Sequence, residues 1–395
     1  MTASSKNPFV MYNVKNKTFD LSHGFLPSKD PIRSLPVAFK AWEAVTQQLP
    51  KLLVTNQTRT VIENLPTFAI EQLKNPQQFE RAMMLFSYLG HAYVWGAAQI
   101  PEKIPAVLAV PWHMVATKIG RLPVLSYASY ALYNWQRLDL QLPIALGNIS
   151  LLQNFLGGID EEWFILIHVD IEAKAAQGLS ALIPAQKNVA EEDTASLLTH
   201  LQQMAHALQT MCEVLDRMPE HCDPYIYYRR VRPYLHGWNN NPTLPQGLIY
   251  EGVKAYDNQP QTFKGETGAQ STIIPAFDAA LGIEHEQDLL WAHLREMRDY
   301  MPPEHLAFLK HIENGPSIRN YVKKHYPKHP ELKDFYNKCL NLLGRFRETH
   351  VKYAAQYIHK QSQTSDANPT EIGTGGTPFM SYLRHHLQTT EKFLL

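Results

Sequence analysis

The chain has 395 residues, 45% apolar and 19% charged, enough apolar material for one large domain or two ordinary ones. Its 37 Lys and Arg balance 37 Asp and Glu at a pI near 7.3, so nothing in the charge points to a nucleic-acid or membrane-surface partner. The cysteines Cys212, Cys222 and Cys339 form no CxxC and no disulfide framework, the start "MTASSKNPFVMYNV" lacks a basic stretch followed by an apolar core, and no apolar run reaches the ~18 residues of a membrane span, so the expected setting is cytoplasmic.

In chain order the patterns are helical. "AFKAWEAVTQQLPKLL" puts Phe39, Trp42, Val45 and Leu49 on one face, and "FERAMMLFSYLGHAYVWGAA" does so with Phe79, Met83, Phe86, Val94 and Ala97. Prolines cluster over 99–124 (Pro101, Pro105, Pro111, Pro123), which predicts short broken helices there. Pro143 to Asn148 reads as a boundary, giving a smaller N-terminal helical domain over 1–148 and a larger one over 149–395. In "WFILIHVDIE", Phe164, Ile167, Ile171 and Ala175 fall at helical spacing. "DTASLLTHLQQMAHALQTMCEVLDRM" repeats Leu197, Leu201, Met204, Leu208, Met211 and Leu215 behind an Asp193–Thr194 start that suits an N-cap. "QDLLWAHLREMRDYM" carries Leu289, His293, Met297 and Tyr300 and stops at Pro302–Pro303. "LLGRFRETHVKYAAQYI" completes a stripe of Cys339, Leu343, Phe346, Ala354 and Tyr357, and residues 361–377, "QSQTSDANPTEIGTGGT", read as a polar, mobile loop able to act as a lid. Alternating strands are scarce, so the fold class is all-α.

One histidine breaks the last stripe. His350 occupies a position where an apolar residue belongs. Its plain reading is a buried imidazole bonded to a backbone carbonyl. Its sharper reading is a metal ligand, because a single proximal histidine in an apolar wall is one way proteins hold haem iron. His168-x-Asp170 with His350 imitates a two-histidine, one-carboxylate iron site, but positions two apart on a helix diverge. There is no HExxH, His325 and His329 are separated by Pro327, and "GTGGT" lacks the Lys-Ser or Lys-Thr of a phosphate loop. In "YIYYRRVRPYLHGWNNNPTLPQGLIYEGV", Arg229, Arg230 and Arg232 lie among aromatics, either as a solvated basic face or as a pocket that clamps a carboxylate beside a flat ring.

Six motifs in order, "SYASYALYNW", "VRPYLHGWNNNPTLPQGLIYEGV", "GETGAQSTIIPAFDAALGI", "MRDYMPPEHLAFL", "RETHVKYAAQYI" and "GTGGTPFM", with "TTEKFLL" after them, resemble the indoleamine 2,3-dioxygenase family. The resemblance implies haem b in the larger of two helical domains, O2 as co-substrate, and conversion of L-tryptophan to N-formyl-L-kynurenine by cleavage of the indole C2–C3 bond. It also implies a monomer and an electron donor that keeps the haem ferrous.

Residue by residue, His350 matches the family's proximal iron ligand, and Arg347 and Asp278 match its supporting and propionate-side neighbourhood. Arg232 matches the arginine that pairs with the substrate carboxylate. Tyr127 and Phe164 match pocket-wall aromatics, Gly268 and Ala269 the small residues above the haem, and Thr374 and Gly375 the loop over the amino-acid end. Tyr227 stands where mammalian members carry a phenylalanine, and with Tyr130 it makes the pocket more polar. Anchoring on Glu172 places His168, in place of a mammalian serine, toward the indole N–H; anchoring on the aromatics instead places Ile167 there.

Overall fold

The computed structural model describes residues 11–14, 17–287, 289–363, 374 and 389–395. Among them, helices dominate and the named strands form three two-stranded ribbons. β1 (Met11–Val14) pairs antiparallel with β2 (Lys17–Asp20). β3 (Lys103–Ile104) pairs parallel with β6 (Ile249–Tyr250), and β4 (Gln136–Arg137) pairs antiparallel with β5 (Ile149–Ser150). No helix among the described residues is long and apolar enough to cross a membrane.

The N-terminal helices are α1 (Lys40–Gln47), α2 (Leu49–Val54), α3 (Thr58–Glu63), α4 (Pro76–Trp95) and α5 (Ala106–Ile119). The single helix expected across residues 38–53 divides at Gln48. α4 starts where Asn75 caps it, its side chain accepting from the Gln78 N–H at 3.0 Å with Pro76 next, whose missing N–H costs nothing in a first turn. Its one-face pattern understates it, since every residue from Arg81 to Val94 is buried. Glu43 takes two hydrogen bonds from Arg81, at 3.0 and 2.6 Å, which ties α1 to α4 through a buried ion pair. The proline cluster does not break the chain as expected. α5 runs fourteen residues straight through Pro111, whose ring replaces one helical N–H but leaves the apolar faces packed, and ends at Gly120, in the left-handed region at φ 69°.

α6 (Ile159–Ala190) and α7 (Thr194–Leu215) form the largest helix pair. The predicted cap of α7 is present: Asp193 Oδ1 accepts from the Ser196 N–H at 3.1 Å. α8 (Pro224–Ile226), α9 (Ile273–Leu281), α10 (Leu289–Met297), α11 (Pro303–Glu313), α12 (Ile318–His325), α13 (Pro330–Ala354) and α14 (Lys360–Ser362) follow. Pro303, read as a stop, is also the first residue of α11. Gly178 lets α6, α7 and α9 meet, since a Cβ there would lie 2.7 Å from Phe277 and 2.8 Å from Ala207.

Two cores result. One gathers α1, α4 and α5 with Leu235, Trp238, Tyr250 and Tyr300; the other gathers α7, α9, α11, α12 and α13. α6 serves both, giving Ile165, Leu166 and Val169 to the first and Ile167, Ile171, Leu179 and Leu182 to the second. Each such side chain contributes ~1.5–3 kcal/mol on burial, so α6 is fixed from two sides. Three turns carry one extra residue each, in π-helical form: Ala128–Leu132, Tyr227–Val231 and Ala355–His359. Such turns re-aim the side chains that follow them.

Candidate functional site

Between α6 and α13 the two anomalous histidines approach one another. His350 keeps open surface in the described structure. Desolvation, and secondarily the proximity of His168, lowers its pKa to about 4. The imidazole is therefore neutral near pH 7, with a lone pair available to an electrophile.

His168 sits one turn after Phe164 on α6. Its Nδ1 lies 2.7 Å from the Phe164 carbonyl oxygen, which can only accept, so Nδ1 carries the proton and Nε2 presents a lone pair to the chamber. Burial lowers its pKa as well. Ile167, the other candidate for this place, is fully buried in the second core.

Around His168 stand aromatics. Its ring centroid is 4.7 Å from Phe164 and 5.9 Å from Tyr127, and Phe164 lies 4.6 Å from Tyr227 and 6.4 Å from Tyr130. Tyr130 and Tyr227 sit in two of the π-helical turns, and Tyr357, 5.8 Å from Tyr227, sits in the third. The Tyr127 N–H is fixed by Gln270 Oε1 at 2.9 Å. Tyr127 also hydrogen-bonds Glu172, which accepts from Ser271 Oγ at 2.8 Å; burial raises the Glu172 carboxyl to about 7. The Tyr130 hydroxyl is buried and hydrogen-bonds no described residue.

Arg232 is fully buried, its guanidinium carbon 5.4 Å from the Tyr228 ring centroid. Burial depresses its pKa, offset by Tyr227 and Tyr228, and it remains a cation. Gly268 and Ala269 border open space: a Cβ on Gly268 would meet nothing within 4 Å, and Ala269 is half-buried. The Thr374 hydroxyl donates to the Glu266 carbonyl at 2.6 Å. Gly375, and most of the 361–377 segment with it, lies outside the described residues.

On α13, one turn before His350, Arg347 Nη2 donates to Asp278 Oδ2 at 2.6 Å, tying α13 to α9. Asp278 also faces His285 Nε2 at 3.1 Å, and Arg347 donates to the Thr390 hydroxyl. Sequence reasoning missed His285, Thr390, Ser271 and Glu266. The first two are joined to Arg347 and Asp278 only through the folded chain and leave no local signal.

The rival metal readings fail. Asp170 accepts from the Leu146 N–H at 3.2 Å and lies 3.4 Å from Lys174, away from His168. His325 stacks on Tyr321 at 4.1 Å, and His329 lies 3.4 Å from Glu331. Among the described residues no three His, Cys, Asp or Glu side chains could together hold an ion. A single neutral imidazole with open surface, near His168 and one turn after the Arg347–Asp278 pair, fits a metal macrocycle that brings its other ligands with it.

The family model described as Indoleamine 2,3-dioxygenase matches residues 15–393. The rat protein Indoleamine 2,3-dioxygenase 1 is 35% identical over 92% of both chains. The human Indoleamine 2,3-dioxygenase 2 is 32% identical over 92% of this chain and 90% of its own, and the Saccharomyces cerevisiae Indoleamine 2,3-dioxygenase is 28% identical over 92% and 89%.

Proposed function

The chain belongs to the indoleamine 2,3-dioxygenase family, and from that premise we propose that it is a haem enzyme that inserts both atoms of O2 across the indole C2–C3 bond of L-tryptophan, giving N-formyl-L-kynurenine. The observation that supports the cofactor is His350, a neutral imidazole with open surface near His168. When bound, ferrous haem supplies the iron at which O2 is activated.

His350, on α13 within the helical region we assign to residues 149–395, would hold the haem iron. Arg347 and Asp278 fix the rotation of α13 through a buried ion pair and so aim the imidazole. Phe164, Tyr227, Tyr127 and Tyr130 form the slot for the indole ring, and Gly268 and Ala269 leave it room. His168 Nε2 accepts the indole N–H, because Nδ1 is already committed to the Phe164 carbonyl. Arg232 pairs with the substrate carboxylate, and Thr374 with Gly375 closes over the amino-acid end.

Holding the substrate in one pose is the main task of these side chains. Such positioning supplies roughly 7–11 kcal/mol of a barrier. Both oxygen atoms end in the product, so no electrons are consumed per turnover, and an electron donor is needed only to return oxidised iron to the ferrous state.

The test is an optical spectrum of the purified protein and of His350→Ala. The account predicts a Soret band in the first and its loss, with activity, in the second. A normal Soret band in the variant would place the ligand elsewhere.

A further inference from the structure

The chamber contains a carboxyl group that the proposed reaction does not use. Glu266 is 5% exposed, accepts no hydrogen bond from any described residue, and pairs with no described cation. It lies on the backbone segment that crosses the one bearing Arg232. The Glu266 N–H donates to the Leu235 carbonyl at 3.0 Å and the Trp238 N–H to the Phe263 carbonyl at 2.8 Å. The crossing is close because both facing residues are glycines. A Cβ on Gly237 would lie 2.3 Å from the Gly265 nitrogen, and one on Gly265 2.1 Å from the Leu235 oxygen. Arg232 opens the short helix that ends at Leu235, so the guanidinium and the carboxyl project from adjoining, rigidly clasped segments.

Glu266 and Arg232 both lie near Tyr227. Glu266 also acts on Tyr88 from α4 and on Tyr127 and Tyr130 from the Ala128–Leu132 turn, so it faces the aromatic slot from the side where the Thr374 hydroxyl docks on its own carbonyl. A buried guanidinium and a buried, ionisable carboxyl group on adjoining segments beside the aromatic slot are complementary to the two ends of a zwitterion.

We propose that Glu266 is a further substrate-recognition residue, its carboxyl group taking the α-ammonium of the amino acid while Arg232 takes the α-carboxylate. The inference rests on the amino-acid reading given above. With the chamber empty, burial holds the Glu266 carboxyl up to about 8, so near neutral pH it carries a proton. An arriving ammonium favours the ionised form, and the carboxyl proton passes to solvent as the ion pair forms.

The experiment uses the haem-loaded full chain and two ligands, L-tryptophan and indole-3-propionate, which keeps the ring and the carboxylate and lacks the ammonium. In Glu266→Gln, which preserves shape, affinity for L-tryptophan should fall about tenfold or more, the worth of one charge-assisted hydrogen bond, while that for indole-3-propionate changes less than about twofold. Calorimetry below pH 8, run in buffers of different ionisation enthalpy, should show up to about one proton released per L-tryptophan bound by the wild type and none for Glu266→Gln or for indole-3-propionate. Glu266→Asp should retain part of the discrimination. Equal losses for both ligands, an unchanged ratio, or a loss confined to ring-hydroxylated tryptophans would overturn the assignment. Failure of the wild type to bind either indole would overturn the amino-acid reading itself, and this inference with it.

Discussion

Replacing Arg347 with methionine removes the guanidinium that lies 2.6 Å from Asp278, in a pair whose side chains are only 8% and 10% exposed. Breaking a pair so buried leaves a carboxylate without its guanidinium and costs roughly 3–5 kcal/mol. For 395 residues at ~2.1 cal/mol/K each, the unfolding entropy is roughly 0.8 kcal/mol/K, so Tm should fall by about 4–6 °C. Removing both charges, as Arg347→Met with Asp278→Asn, takes away the stranded anion and should recover part of the loss, with a coupling energy of ~2 kcal/mol in the double-mutant cycle. The assay is calorimetric unfolding of the haem-free chain, alongside the rate of haem transfer to excess apomyoglobin. Transfer should quicken in the single variant, because the pair fixes the helix that carries His350. Additive losses across the cycle, or a single variant within about 0.5 kcal/mol of wild type, would refute the reasoning.

Arg232→Ala should raise the KM for L-tryptophan by tenfold or more at unchanged haem content, since a buried carboxylate partner is lost; steady-state kinetics with a pyridine haemochrome assay decide it. His168→Ser should preserve turnover of L-tryptophan but change the ratio of its affinity to that of 1-methyl-tryptophan, which has no indole N–H; an unchanged ratio would remove His168 from the ring nitrogen. Stability should depend on pH with a definite sign. Burial raises Glu161 and Glu172 to about 7 and Glu266 to about 8, so the folded state holds extra protons and loses stability as pH rises from 4.5 through these values. Burial lowers His91 and His305 to about 3 and His293 to about 4, so stability is also lost as pH falls below 6.5. The two sets oppose each other between 4.5 and 6.5, and thermal midpoints should be highest there. A midpoint that rises from pH 6.5 to 8 would contradict the assignment.

Periodicity made the helices legible, and with them the fact that His350 and His168 point inward. It could not distinguish a one-faced helix from one buried all round, as α4 is, because burial on the remaining face is decided by partners distant in sequence. Pro111 misled for a similar reason: one missing N–H costs less than fourteen residues of packing return. Among the residues named by the resemblance, Tyr127 and Phe164 lie beside His168, Arg232 lies over Tyr228, and Arg347 bonds Asp278. The motifs did not lead to His285, which meets Asp278, or to Thr390, which meets Arg347, because both contacts form only after α9, α13 and residues 389–395 pack together. His168 and Ile167 differ by one step of helix phase: Ile167 packs in the second core, and His168 stands beside Phe164 and Tyr127.

The central claim is that both atoms of O2 enter one substrate. Mass analysis of the product formed from L-tryptophan under isotopically labelled O2, with a reductant present to keep the haem ferrous, tests it directly. The account predicts a cleaved product carrying two labelled atoms, one on each side of the opened ring; a product carrying a single labelled atom, with the other in water, would contradict it.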